Sequence, residues 1–307
     1  MTEPIEIFVG ADRSQLMAVA VLEHSIRRRT SREVIVNPLI DIDLPEPRDP
    51  RQGSRTNFSF ARFAIPALKA YRGKGLYLDA DMLVFRDIGE LWDLPFDGAG
   101  VVIQEALPQH AEQQDKPGAP PRRIKQCSVM LIDCARVRWD VGQIVSGLDG
   151  RYTYEQLMHE LCILPEEEIR YGVPFAWNSL EHYDAQTRLI HFTDMDTQPW
   201  VSPLNRNGPL WLDEVRLMLD TGALARSDVR REVELGHFRP SLLDEIEEQP
   251  HASDWSDEAA ARYVERDRAA GFVKHAEVYR RKRLRAEAVK KYERKAWGIW
   301  PLARRSA

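Results

Sequence analysis

Pairs of carboxylates two residues apart are the first pattern in this chain that could do chemistry. Three Asp-x-Asp triplets occur, Asp41-Ile42-Asp43, Asp79-Ala80-Asp81 and Asp194-Met195-Asp196, so the bare pattern decides nothing and its surroundings must. The first runs into a proline-rich stretch, Leu44 to Pro50, where solvated turn acids are the plain expectation. The second lies between two apolar runs, Leu76-Tyr77-Leu78 and Met82-Leu83-Val84-Phe85. Side chains two apart on an extended segment point the same way. Two carboxylates aimed together beside a buried strand repel each other and are costly to desolvate. A divalent cation removes that cost, and oxygen donors of this kind suit Mg²⁺ or Mn²⁺. The bland alternative is a turn or cap pair exposed at a strand end. His191 follows the late apolar run Leu189-Ile190. On its own such a histidine is usually a hydrogen-bonded polar residue, but beside carboxylates it would tilt the choice towards Mn²⁺, the softer ion.

These groups need elements to position them. Ile5 to Gly10 reads as a first strand with Asp12 at its end, followed by helical spacing at Leu16, Val19, Ala20 and Ile26. Ser31 to Val36 reads as a second strand, and Phe58 to Tyr71 as a helix ended by Gly73 and Gly75. Val101-Val102-Ile103, Ser128 to Ile132 and Leu189 to Phe192 are further buried strands, and the proline-rich segment Pro108 to Pro121 is a surface loop. Strands alternating with helices predict an α/β layered domain. Ligands of open α/β sheets bind beyond the carboxyl ends of the strands, where Asp12, Asp79, Asp81 and His191 all fall. After about residue 245 the pattern changes. Asp257 to Trp297 lacks proline and reads as one helix, or two broken at Gly271. The expected organisation is a main domain over residues 1–245 and a helical, basic extension over 246–307.

In this order the motifs resemble glycosyltransferase family 8 and its lipopolysaccharide-glycosyltransferase relatives over about residues 5–200. The carriers are Ile7-Phe8-Val9-Gly10-Ala11-Asp12, Phe60-Ala61-Arg62-Phe63-Ala64-Ile65-Pro66, Leu76-Tyr77-Leu78-Asp79-Ala80-Asp81, Ser128 to Asp133, and His191-Phe192 with Pro199-Trp200. The resemblance implies a GT-A-type mixed sheet flanked by helices, with a C-terminal helical extension. It implies a retaining, hexosyltransferase-type enzyme that draws on a nucleotide-sugar, a UDP-sugar above all. It places Mn²⁺ (or Mg²⁺) on Asp79, Asp81 and His191, and the donor against Gly10, Ala11, Asp12, Arg62, Ala80 and Gln198. A residue opposing the leaving group would come from around His159 and Glu160, and Asn178 would contact acceptor or sugar. A solvated helix face is an equal reading for His159 and Glu160.

The late motif departs from the family's His-Phe-x-Gly-x-x-Lys-Pro-Trp. Here it is one residue longer, with Asp194 for the glycine and Gln198 for the lysine. An uncharged Gln cannot neutralise a leaving diphosphate as Lys does, and Arg62, Arg55, Lys125 and Arg206 are open as substitutes. Two other functions stand beside the transferase. One is a catalytically inactive nucleotide-sugar-binding protein. The other is a HAD-type phosphatase, whose Asp-x-Asp would sit on the first strand rather than at residue 79.

Composition bounds the partners. The 307 residues carry a net charge of −5. From Lys274 to Ala307 there are twelve Lys/Arg against three Glu, a local balance of +9 that leaves −14 on the remainder. A basic helix ending near Trp297 and Trp300 suits an anionic membrane surface, and with it a glycan or glycolipid acceptor. An acidic body without a nucleic-acid motif argues against nucleic acid. Three cysteines without a CxxC pair and no leader-like N-terminus point to the cytoplasm, with peripheral attachment to the inner membrane face.

Overall fold

Alternation along the central strands sets the layers. The structure, a computed structural model, describes residues 3–49, 52–53, 58–105, 125–249, 255–281, 284–285 and 288. Arg55, the segment 108–121 and the tail residues Lys282, Arg283, Lys290, Lys291, Trp297 and Trp300 lie outside them. A six-stranded sheet runs in the order β2-β1-β3-β6-β5-β7. Its strands are β1 (Ile5–Gly10), β2 (Val34–Pro38), β3 (Lys74–Asp79), β5 (Val101–Gln104), β6 (Val129–Asp133) and β7 (Ile169–Val173). β1 pairs in parallel with β2 and β3, whereas β6 is antiparallel to both β3 and β5. A second sheet of three short strands follows the order β4-β9-β8, from β4 (Met82–Val84), β8 (Ser179–Leu180) and β9 (Leu189–His191). The mixed sheet flanked by helices is the architecture expected.

One face of the large sheet presents Phe8, Tyr77, Val101, Ile103, Met130 and Ile132 to the segment Phe60–Ile65 and two short helices, α4 (Val141–Gly147) and α5 (Tyr154–Glu160). The other face presents Ile7, Val9, Leu76, Leu78, Val102 and Leu131 to α1 (Leu16–Arg27) and α3 (Gly89–Trp92). This is the period-2 pattern of strands buried on both sides. The helix expected over 58–71 is shorter and tighter. A 3-10 turn at Ala61–Ala64 passes into α2 (Ile65–Leu68), and Ala70 and Tyr71 end it with φ of 49° and 57°. The second strand is displaced from the expected Ser31–Val36 to Val34–Pro38, because its pairing with β1 starts at Val34↔Ile5.

The far side of α1 packs against a third cluster with α6 (Gly208–Thr221), α7 (Arg226–Glu234) and α8 (Leu242–Glu248), centred on Trp200, Trp211 and Phe238. The residue where the sequence pattern changes, 245, falls inside α8. A last numbered helix, α9 (Asp257–Ala269), ends before Gly271, whose φ of +75° suits the helix terminus predicted there. Residues 275–281 are helical again. Among the described residues no helix is long and apolar enough to cross a membrane.

A buried polar knot ties α8 and α9 to the late motif. Arg239, fully buried, donates from Nε to Pro199 O (3.1 Å), from Nη1 to Ser241 Oγ (2.7 Å) and from Nη2 to Glu245. Asp267 of α9 accepts from Ser241 N (2.8 Å) and Ser241 Oγ (2.9 Å). Removing one member of such a set strands a charge inside the protein. Arg239→Ala is therefore expected to cost about 3–5 kcal/mol in urea unfolding. Ser241→Ala, which deletes the hydroxyl's bonds to Arg239 and Asp267 but leaves the backbone bond to Asp267, should cost about 1.5–3 kcal/mol.

Candidate functional site

The second Asp-x-Asp triplet sits where the chain leaves one sheet for the other. β3 ends at Asp79, Ala80 and Asp81 form a bend, and β4 begins at Met82. Register then brings in the histidine. Met82 pairs with His191 across β4 and β9, and Phe192 N donates to Asp81 O at 2.8 Å. Asp79, Asp81 and His191 each offer a ligand atom within 4.8 Å of the others, the only such group of three or more His, Cys, Asp or Glu among the described residues. The other two triplets are engaged differently. Asp41 pairs with Arg13, and Asp194 accepts from Asp196 N (3.0 Å) and Thr197 Oγ1 (2.9 Å).

Each carboxylate has one oxygen held from behind and one turned forward. Asp79 Oδ1 accepts from the Tyr77 hydroxyl (2.5 Å) with Arg62 Nη2 at 3.5 Å, while Oδ2 faces His191 Nε2 at 3.9 Å. Asp81 Oδ2 accepts from Gln198 Nε2 (2.6 Å), while Oδ1 lies 3.0 Å from His191 Nε2. That Oδ1 is buried and makes no hydrogen bond of acceptable geometry. The histidine is oriented the same way. Its Nδ1 is 3.0 Å from Asn178 Oδ1, and Asn178 Nδ2 donates to Gln104 Oε1 (2.8 Å) and Ser128 Oγ (3.1 Å). The Asn oxygen must therefore accept from Nδ1–H, which leaves a lone pair on Nε2 in the neutral ring. Two forward oxygens, one of them orphaned, and an imidazole lone pair form a donor set that fits a divalent cation of the Mn²⁺ or Mg²⁺ kind.

The electrostatics follow from burial. Desolvation pushes the Asp79 carboxyl up from its ordinary value; Arg62 works against it and Asp81 adds to it. For His191 burial works downward, but the carboxylates of Asp81 and Asp79 outweigh it and the imidazole is raised. Burial raises the Tyr77 phenol well above its usual range, so it stays protonated and donates to Asp79.

The remaining expected residues divide. Arg62 joins the site, 8% exposed, with Nη1 donating to Cys127 O (2.7 Å) and its guanidinium 4.4 Å from the Tyr77 ring centroid. Ala11 and Asp12 line a cleft of about 450 Å³ with Arg13, Leu39, Ile40 and Ile42. Asp12 also caps the 3-10 turn Arg13–Gln15, accepting from Ser14 N at 2.9 Å. Gly10 has a steric task. A Cβ there would stand 2.2 Å from the Tyr77 hydroxyl, so the glycine makes room for the group that holds Asp79. Ala80 points into the core rather than towards a ligand. Gln198 is 1% exposed and committed to Asp81 and Phe192 O (3.2 Å), so it holds a carboxylate instead of facing a diphosphate. Asn178, fully buried behind His191, is a positioning residue and not an acceptor contact. His159 and Glu160 end α5, the glutamate exposed. Of the possible cationic substitutes, Lys125 pairs with Glu166 (2.7 Å) and Arg206 is exposed.

Sequence reasoning missed Tyr77, although its place two residues before Asp79 on one strand already put both on one side. It also missed His275 and Tyr279, for which no local signal exists. The Tyr279 hydroxyl donates to Asp12 Oδ2, and Lys274 Nζ donates to Asp196 O, so residues 274–279 lie beside the site. Because Asn178 sets the His191 tautomer, Asn178→Ala is expected to weaken divalent-cation affinity about 10- to 100-fold. Calorimetric titration of the full chain with Mn²⁺ would measure it.

The profile described as glycosyl transferase family 8 matches residues 7–137. Protein CDI of Arabidopsis thaliana is 33% identical over 223 residues, covering 69% of this chain and 81% of that protein. Among solved structures, an active-site mutant of LgtC matches with a TM-score of 0.50 at 16% identity, over 74% of this chain and all of that one. The apo WbbM bifunctional glycosyltransferase also matches at 0.50, with 13% identity over 70% of this chain; this chain spans half the length of WbbM. The structural matches speak to the GT-A-type fold. The profile and the plant relative carry the assignment: the chain belongs to glycosyl transferase family 8.

Proposed function

We propose that this glycosyltransferase moves a hexose from a UDP-sugar to a glycan or lipid-linked acceptor, with retention of anomeric configuration and a Mn²⁺ (or Mg²⁺) ion on Asp79, Asp81 and His191. The observation that carries the reading is the convergence of Asp79 Oδ2, Asp81 Oδ1 and His191 Nε2, with Asp12 of the 450 Å³ cleft joined to the same region through Tyr279. When bound, the cation would neutralise charge gathering on the leaving diphosphate.

The chain's own residues do the positioning. Ala11, Asp12, Leu39 and Ile40 offer the half-apolar, half-polar walls that a nucleoside needs. Tyr77 and Arg62 hold the back of Asp79, and Gln198 holds the back of Asp81, so neither carboxylate must reorganise when the donor arrives. The end of α5, with His159 and Glu160, is the proposed source of a group on the sugar face away from the diphosphate. A lipid-linked acceptor and an anionic membrane surface, reached from the cytoplasmic side, rest on the +9 balance from Lys274 onward, which also supports treating 246–307 as a functional extension of the 1–245 domain.

Donor hydrolysis tests the reading without knowledge of the acceptor. The full chain should hydrolyse a UDP-sugar faster with Mn²⁺ than with a chelator, and Asp81→Asn should fall to the chelated rate. Equal rates for the two proteins in Mn²⁺ would refute the metal site. Donor binding without turnover against any acceptor would instead mark an inactive nucleotide-sugar binder.

A further inference from the structure

A nucleoside diphosphate brought to this site meets carboxylates on several sides. Asp79 and Asp81 are at its centre, Asp12 lines the cleft, and Asp196 lies in the loop before Gln198. Phosphate oxygens beside so many acids need donors besides a cation. The main domain has few left. The Arg62 Nη atoms are turned to Cys127 O and Asp79, which leaves only its buried Nε without a partner; Lys125 is paired with Glu166, and Gln198 spends its Nε2 on Asp81 and Phe192 O.

The donors come from the other end of the chain. Residues 275–281 form a helical segment fastened over this region. Tyr279 donates to Asp12, Lys274 to Asp196 O, and Arg280 Nη2 lies 3.7 Å from Asp196 Oδ2. Between these fastenings sits His275, 6.1 Å from the Tyr279 ring centre. Both of its ring nitrogens are buried and neither has a hydrogen-bond partner. The carboxylates of Asp12, Asp81 and Asp196 act on it electrostatically, as does the His237 imidazole. An imidazole with two buried, unused nitrogens among three carboxylates carries a desolvation cost that nothing in the protein offsets. A phosphate oxygen would offset it.

We propose that His275 donates a ring N–H to the diphosphate of the bound nucleotide, so that the C-terminal segment completes the donor site. The inference rests on the nucleotide-sugar reading given above. The segment is thereby a part of the binding site, and Tyr279 on Asp12 is the contact that sets its distance from the nucleoside cleft.

Titration of UDP and of uridine into the full chain with saturating Mn²⁺ tests this. Uridine lacks the diphosphate, so it reports the cleft alone. His275→Ala should weaken UDP about 10-fold or more, as expected for a lost hydrogen bond to a charged group, and leave uridine within about twofold. His275→Gln, which restores an N–H donor, should recover part of the loss. Unchanged UDP affinity in His275→Ala would overturn the inference, as would an equal loss of UDP and uridine, which marks a merely structural histidine. If Asp81→Asn loses UDP while His275→Ala does not, the nucleotide-sugar reading stands and only the inference falls. A wild-type chain that binds neither ligand with any divalent cation would overturn both.

Discussion

Two carboxylates that repel each other are held together beside an imidazole at the centre of this protein. Asp79, Asp81 and His191 are 17%, 13% and 6% exposed at their side chains, and two of the three carry or seek negative charge. Water cannot screen them well at that depth, so protein groups must. Much of the surrounding structure is explained by that need. Tyr77 and Arg62 stand behind one carboxylate and Gln198 behind the other, while Asn178, itself held by Gln104 and Ser128, fixes the imidazole. Even a backbone choice follows, since only glycine at position 10 leaves space for the Tyr77 hydroxyl.

The site also depends on a switch between sheets. A single continuous strand would place Asp79 and Asp81 on one side but would offer no route for a third ligand. The bend at Ala80 starts β4, and β4 recruits β9 and with it His191. The third cluster, with Trp200, Trp211 and Phe238, then buries the underside of that small sheet through Leu83 and Ile190. Arg239 ties the Pro199-Trp200 segment to α8, which steadies Gln198 next door. Stability and site geometry thus depend on the same residues.

Much of this was legible in the sequence. The apolar runs around Asp79 and Asp81, and the run before His191, marked the strands and the carboxyl ends where the donors sit. Context also separated the triplet at residue 79 from the one at residue 41, which runs into a proline-rich stretch and pairs with Arg13 instead. What stayed hidden has physical reasons. β4, β8 and β9 are two or three residues long, too short for any periodicity, and their pairing is a long-range event. The helical spacing over Phe58–Tyr71 was real, but Pro66 and the left-handed Ala70 and Tyr71 confine the regular helix to Ile65–Leu68. The roles of Gln198 and Asn178 depend on tertiary partners, and a side chain buried behind a ligand looks in sequence like one facing it. The C-terminal contacts were the least legible, because a charge-rich helix reads as solvated until something is found beneath it.

The distance in sequence between the two halves of the central site has a consequence for synthesis. Gln198 bonds Asp81 across 117 positions. A chain emerging from the ribosome presents the acidic pair long before its partners exist, and domains fold as their segments become available. Until β9 arrives, the two carboxylates have neither imidazole nor amide and must remain hydrated. The cluster of Asp79, Asp81 and His191 is therefore assembled late in biogenesis. A nascent chain halted before residue 191 would expose a pair of acids with no means to choose one ion over another.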